Sequence, residues 1–261
     1  MISEDGFLDL KLNEAIVTFR NEYKLEYELI FEIKSFLDEA QNFFVGKTIS
    51  KPDMFLSASI LELNKLFQSA VLLFERGLPE SSNILIRSIL ELSFRIVELI
   101  RNDNFLEEMI LDINSETLST LKNIKKYELF DLIPQSDFYK LLNDCQQVES
   151  KKGKTDIRAS TLAKRNGLEK EYIIYRTYCD YAHQSVKVID ENVEIKPDGV
   201  KLNGDLRVDD FSESIAMLAS ITMIPFSKLV EHSLIDKNLK CRFDMLQEVY
   251  VKTFKNKVVV T

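Results

Sequence analysis

Hydrophobic residues recur every three or four positions over most of the chain, which is the spacing of one face of an α-helix. Leu8, Leu12 and Ile16 show this spacing near the start. This spacing predicts one long helix, or two helices in succession, over residues 4–46. The chain contains only seven Gly and five Pro in 261 residues, too few for the many turns of an all-β protein.

Two long helices with a short link between them are predicted in the middle of the chain. Pro52 suits the first turn of a helix, where its missing N–H costs nothing. Gly77 lies where a left-handed residue would end that helix, and Pro79 follows it. A second helix is predicted over residues 80–102. A link this short implies an antiparallel helical hairpin.

Alternation replaces the helical spacing only over residues 192–203. Pro197, Asp198 and Gly199 are turn residues between two short alternating runs, so this segment predicts a small β-hairpin. We predict an all-α fold: a bundle of long antiparallel helices with this one hairpin inserted. Residues 1–50 would form an N-terminal helical extension and residues 51–261 the bundle domain. Further helices are predicted at 104–112, 116–127, 137–149, 157–165, 168–184, 209–234 and 236–255.

Charge and cysteine content restrict the location and the partners. The formal net charge is −8, so any site for a polyanion must be a local basic patch. The three cysteines are far apart in the sequence, which fits a reducing cytoplasm better than a disulfide framework. The N-terminus does not resemble a signal peptide. Residues 215–230 are the most apolar stretch, but Pro225 and Lys228 interrupt it, so we expect a buried core helix and no membrane association.

The segment with the most suggestive chemistry is the predicted helix at 168–184. Arg176 and His183 are seven residues apart, so they share one face of a helix about two turns apart. The imidazole can move a proton, and the guanidinium can hold a phosphate and stabilise the charge of the transition state. The alternative is a packed histidine and a paired arginine. Asp180 is close enough to contact His183, and Tyr175 and Tyr178 could position or stack a base.

Two further groups of charged residues accompany this helix. The run 151–165 carries six basic residues against one acid and would supply a local patch for RNA, or else it is a solvated loop. Arg87 and Glu91 lie one turn apart among apolar neighbours, so they could join a polar network with Tyr175 or His183, or form a structural bridge between helices. The basic residues are Lys151, Lys152, Lys154, Arg158, Lys164 and Arg165.

The chain has none of the sequence motifs typical of nucleotide-binding loops, zinc proteases or serine hydrolases. No Cys/His cluster has the spacing of a zinc site. We therefore expect no metal and no cofactor.

Two helices of the chain resemble an uncharacterised family of bacterial helical proteins over residues 55–230. One family helix has the pattern RGxxxxAxxLxRxxxE and a later one has YxxxSxxxH. Ser82 replaces the Ala, and Cys179 replaces the Ser with loss of a good hydroxyl donor. The matching residues are Arg76, Gly77, Leu85, Arg87, Glu91, Tyr175 and His183.

The layout also resembles, more distantly, the HEPN superfamily of helical bundles, which carries an Arg-x(4–6)-His motif that Arg176 and His183 match. Thr177 follows the Arg, where Asn, Asp or His is frequent. The resemblance implies a metal-independent ribonuclease or an RNA-binding protein of phage defence or a toxin system, with its site formed across a homodimer. The rival interpretation is a non-catalytic helical interaction protein with a structural network of Arg87, Glu91, Tyr175 and His183. A third is a small-molecule sensor with a pocket between helices.

Overall fold

A computed structural model describes residues 12–45, 50–152, 156–183, 193–196, 199–202 and 211–255. These residues form ten α-helices, one 3₁₀ turn at Phe130–Leu132 and two short strands, so the fold is all-α. The helices are α1 (Leu12–Glu22), α2 (Lys24–Val45), α3 (Lys51–Glu75), α4 (Pro79–Arg101), α5 (Phe105–Lys126), α6 (Gln135–Lys152), α7 (Ala159–Asn166), α8 (Glu169–Ala182), α9 (Phe211–Glu231) and α10 (Lys237–Phe254).

The N-terminal segment forms two helices, which answers the question that its spacing left open. A turn at Tyr23 separates α1 from α2. The Nε of Arg20 donates a hydrogen bond of 2.7 Å to the buried carboxylate of Glu75 at the end of α3. α2 packs against α3 and α10. The predicted division into an extension and a bundle domain at residue 50 stays a prediction.

α3 begins and ends where Pro52 and Gly77 predicted. Ser50 caps α3, because its hydroxyl accepts from the N–H of Asp53 and the Asp53 carboxylate accepts from the N–H of Ser50. Gly77 has a φ of 67°, and the N–H of Leu78 donates to the carbonyl of Leu73 over 2.9 Å. This left-handed ending turns the chain so that α4 packs against α3.

α4 is the central helix, in contact with α3, α7, α8 and α9. Phe67, Phe94 and Phe226 are fully buried in the main core, and burying one such side chain stabilises the fold by about 2 kcal/mol. Among the described helices only α9 has the length and apolar character needed to cross a membrane. Ile215 and Leu218 of α9 belong to the core.

α5 and α6 pack against each other and form a small hydrophobic cluster of their own, which includes Leu121 and Phe138. The predicted break between helices 104–112 and 116–127 is wrong, since α5 is continuous. Asn114 favours turns in sequence, but its side-chain amide donates to the Ile110 carbonyl one turn earlier and leaves the helix intact.

Two four-residue strands lie within the segment predicted as a hairpin. β1 (Val193–Lys196) pairs antiparallel with β2 (Gly199–Leu202), with Val193 opposite Leu202. The predicted turn residues 197 and 198 lie outside the described residues.

Candidate functional site

α8 has one face in the core and one face in solvent. Tyr175 and Cys179 are buried, whereas Arg176, Asp180 and His183 are exposed. His183 follows the last residue of the helix, and its backbone N–H donates to the Cys179 carbonyl over 3.1 Å. The helical spacing that placed Arg176 and His183 on one face therefore also keeps both side chains accessible.

A cleft of about 570 Å³ runs along this exposed face, lined by residues from α4, α5, α8 and the segment that begins α7. Among the described residues, its wall carries equal numbers of arginines and carboxylates, together with His183 and the rings of Tyr172 and Tyr175. The cleft is thus polar and mixed in charge rather than basic. The charged residues of its wall are Arg87, Arg95, Arg158, Arg176, Glu91, Asp112, Glu116 and Asp180.

A hydrogen-bonded network joins α4 to α8 in the wall of the cleft. Glu91 accepts a hydrogen bond of 3.0 Å from Arg95 and lies 3.4 Å from Arg87. Arg87 donates to the hydroxyl of Tyr175 over 3.0 Å, and this hydroxyl lies 3.5 Å from Glu91. The predicted contact of Arg87 and Glu91 with Tyr175 is present, but His183 is not part of the network.

Tyr175 holds its proton strongly in this environment. Burial, followed by the negative charge of Glu91, raises the pKa of Tyr175 to about 12, although Arg87 acts in the opposite direction. Its ring also stacks on Tyr172 with centroids 5.7 Å apart. Tyr175 is therefore a neutral hydroxyl at physiological pH that links the two helices.

Both arginines of the predicted basic patch, Arg158 and Arg165, are held in ion pairs. Arg158 forms a two-pronged pair with Asp156, with N–O distances of 2.8 and 2.7 Å. These bonds from Arg158, with a further bond from Thr161, hold the pKa of Asp156 well below its usual value. Arg165 pairs with Glu98 at 3.2 Å and is not in the cleft wall. The charge of the run 151–165 is thus largely neutralised where the structure describes it.

Two other predicted substrate-binding residues, Lys164 and Tyr178, do not line the cleft. Lys164 is exposed on α7 outside its wall. Tyr178 is partly buried, and burial raises its pKa. Lys154 lies outside the described residues. Lys151 and Lys152 belong to α6, but their side chains are not described.

Arg176 and His183 differ from the other cationic residues of the cleft. Within the described part of the chain, neither side chain has a hydrogen bond or an ion pair with another residue. Asp180 likewise makes no hydrogen bond to His183 there, so the predicted contact between them is not formed. This arrangement leaves a guanidinium and an imidazole available to a ligand in the same cleft.

Sequence reasoning missed several residues of the wall. Tyr172 lies one turn before Arg176, so the same helical spacing could have found it. Arg95 lies one turn after Glu91, so helical spacing could have found it as well. Asp112 and Glu116 come from α5, and no local pattern connects α5 with α8.

No group of three His, Cys, Asp or Glu residues in the described ranges is arranged to hold a metal ion. Residues 53–200, more than half of the chain, match the model of a family of unknown function (DUF5677). The chain belongs to DUF5677. The DUF5677 match includes α4, α5, α7 and α8, so it contains every residue of the cleft wall. Searches of the curated proteins and of the solved structures found no match.

Proposed function

We propose that the protein binds RNA in the α8 cleft and cleaves it without a metal ion. The observation that carries this proposal is the pairing pattern of the wall. Arg87, Arg95 and Arg158 are held in ion pairs, whereas Arg176 and His183 are exposed and have no side-chain partner among the described residues. A free guanidinium and a free imidazole in the wall of the same cleft suit the binding and the cleavage of a phosphodiester.

The proposed reaction is a transesterification. His183 takes the proton of a ribose 2′-hydroxyl, and the 2′-oxygen forms a bond to phosphorus as the bond from phosphorus to the 5′-oxygen breaks. Arg176 stabilises the negative charge on the phosphoryl oxygens in the transition state. The departing 5′-oxygen receives a proton, which leaves a 2′,3′-cyclic phosphate and a 5′-hydroxyl.

A homodimer would supply the second proton-transfer group. The sequence has only two histidines, and His232 lies after the end of α9, outside the cleft wall. A two-fold axis that brings two copies of α8 together would place a second His183 near the leaving oxygen. The resemblance to HEPN proteins supports this arrangement, a role in phage defence or a toxin system, and a cytoplasmic location. The unpaired state of Cys145, Cys179 and Cys241 also fits a reducing compartment.

The test compares His183→Ala with His232→Ala, an exposed histidine at another site. A labelled single-stranded RNA is incubated with each protein in EDTA, and cleavage is followed on a gel. We expect His183→Ala to slow cleavage by about 10²–10⁴-fold and His232→Ala to cleave like the wild type. Equal rates for the two variants, or no cleavage by the wild type, would contradict the ribonuclease proposal.

The binding role of Arg176 is tested with a 2′-O-methyl RNA, which cannot undergo the reaction. Arg176→Ala should weaken binding, and Lys170→Ala is the matched control because Lys170 is exposed on α8 outside the cleft wall. Melting temperatures near that of the wild type would show that all four variants fold, since exposed substitutions usually change stability by less than about 0.5 kcal/mol.

A non-catalytic interaction protein is the second candidate, and the network of Arg87, Glu91 and Tyr175 favours it. These residues hold α4 and α8 together as a structural network would. This candidate predicts a stable protein that either binds RNA without cleaving it or neither binds nor cleaves RNA.

A further inference from the structure

We propose that the cleft accepts one phosphodiester and repels the neighbouring phosphates of a longer strand, so that it recognises a dinucleotide-sized unit of RNA. This inference rests on the proposed function, because it names the part of the RNA that the same site contacts. It follows from the charges of the wall and from which of them are already paired.

Among the described residues of the wall, the positive charge available to phosphate is small. Arg158 is matched by Asp156. Arg87 and Arg95 share the single carboxylate of Glu91, which leaves one net positive charge on that network. Arg176 adds one more, and His183 adds a charge only when it is protonated.

Three carboxylates of the wall oppose this charge. Asp112 and Glu116 lie one turn apart on α5, and Asp180 lies on α8. None of the three has a side-chain hydrogen bond or an ion pair within the described residues. A phosphate bound at Arg176 meets an unmatched cation, but a second phosphate that reaches the α5 side of the wall meets the unpaired carboxylates of Asp112 and Glu116.

Carboxylates that repel phosphate accept hydrogen bonds from the amino groups of bases. The ring of Tyr172, which is partly exposed in the same wall, is a surface on which a base can stack. The wall therefore combines one phosphate position with surroundings suited to nucleosides. A dinucleotide has this composition, whereas a long strand adds only charges that the wall disfavours.

The experiment measures binding of two uncleavable ligands, a 2′-O-methyl dinucleotide and a 2′-O-methyl twenty-mer, at several salt concentrations. For contact with one phosphate, the slope of log K against log salt is about −0.7 for the twenty-mer, and it is shallower for the dinucleotide, whose single charge condenses no counterions. The twenty-mer should bind more tightly than the dinucleotide by no more than about twenty-fold. This is the statistical gain from having about twenty equivalent phosphates that can occupy the site.

The carboxylates are tested with Asp112→Asn combined with Glu116→Gln. The twenty-mer should then bind about ten-fold more tightly, and the dinucleotide should change by less than about three-fold. Asp103→Asn combined with Asp144→Asn is the control, because both residues are exposed and outside the wall. Melting curves confirm folding, and neither Asp112 nor Glu116 has a side-chain partner within the described residues.

The outcomes distinguish failure of the single-phosphate inference from failure of the proposed RNA site. A twenty-mer preference above a hundred-fold with a slope of −2 or steeper, or no response to the double substitution in α5, overturns the single-phosphate inference alone. If Arg176→Ala leaves the binding of both ligands unchanged, the proposed RNA site itself fails. A twenty-mer preference within about twenty-fold for the wild type, which increases in the α5 variant and not in the control variant, supports the inference.

Discussion

Two polar networks lie on α4 only a few residues apart, and they are built differently. The closed network surrounds Glu98, which is 4% exposed and accepts hydrogen bonds from Asn166 at 2.7 Å, Asn102 at 3.1 Å and Arg165 at 3.2 Å. The open network comprises Arg87, Glu91, Arg95 and Tyr175 in the cleft. There the side chains of Arg87 and Glu91 are 25% and 26% exposed.

The difference lies in how fully the donors and acceptors are used. In the closed network the buried carboxylate has donors on both of its oxygens. In the open network the Nε donors of Arg87 and Arg95 are buried without an acceptor among the described residues, and a buried donor without a partner costs free energy. The first arrangement is suited to stability, whereas the second leaves part of the hydrogen-bonding capacity of its arginines unused.

The largest expected effect is on the closed network. Glu98→Ala removes the acceptor of three donors in a buried position, so we expect the free energy of unfolding to fall by about 3 kcal/mol. Chemical denaturation measures this loss. RNA binding by the folded variant should stay unchanged, and a loss below about 1 kcal/mol would contradict the structural role of the network.

Gly167 connects the two networks, because it follows Asn166 and precedes α8. Its φ is +66° and no atom lies within 4 Å of an added Cβ, so Gly167→Ala meets only backbone strain. We expect a loss of about 1–2 kcal/mol in stability. Gly167→Asn is the control, since Asn tolerates the left-handed conformation and should lose less. Equal losses of stability for Ala and Asn would contradict backbone strain as the cause of the loss.

Opening the cleft network should cost less and should strengthen binding. Glu91→Ala removes a partly exposed carboxylate, so stability should fall by only about 1 kcal/mol. Arg87 and Arg95 then carry two unmatched charges, and binding of the 2′-O-methyl twenty-mer should become tighter and more sensitive to salt. Weaker binding in this variant would mean that Glu91 positions the arginines rather than competing for them.

The sequence was sufficient to predict the all-α fold and the ends of the α3–α4 hairpin. Apolar spacing, Pro52 and Gly77 are local signals, and the structure has a helix end at each of these two positions. The shared exposed face of Arg176 and His183 follows from the same regular geometry. The continuous α5 was missed because Asn114 favours a turn in sequence but hydrogen-bonds within the helix here.

The electrostatics of the cleft could not be predicted in the same way. The run 151–165 has a basic composition, but Arg165 pairs with Glu98 across 67 positions of the chain, and only the fold brings them together. The same holds for Asp112 and Glu116, which reach the cleft from another helix. Charge counted along a sequence segment therefore does not give the charge of the surface that it forms.

The smallest expected effect at neutral pH concerns Tyr175, which links the open network to α8. Tyr175→Phe keeps the ring beneath Arg87, whose guanidinium carbon lies 5.2 Å from the ring centroid, and loses only the hydroxyl contacts. We expect a loss of about 0.5–1 kcal/mol, measured by denaturation at pH 8.

The same substitution should change how stability depends on pH. The pKa of Tyr175 is raised to about 12 from about 10 in the unfolded chain, so the folded state favours its neutral form. That stabilisation is complete below pH 10 and is lost as the pH rises through 12. Stability of the wild type should therefore fall more steeply than that of Tyr175→Phe between pH 10 and pH 12, since all other tyrosines are common to both. Parallel curves of stability against pH would show that the Tyr175 hydroxyl titrates as it does in solvent. The hydrogen bonds of Tyr175 to the open network would then not form.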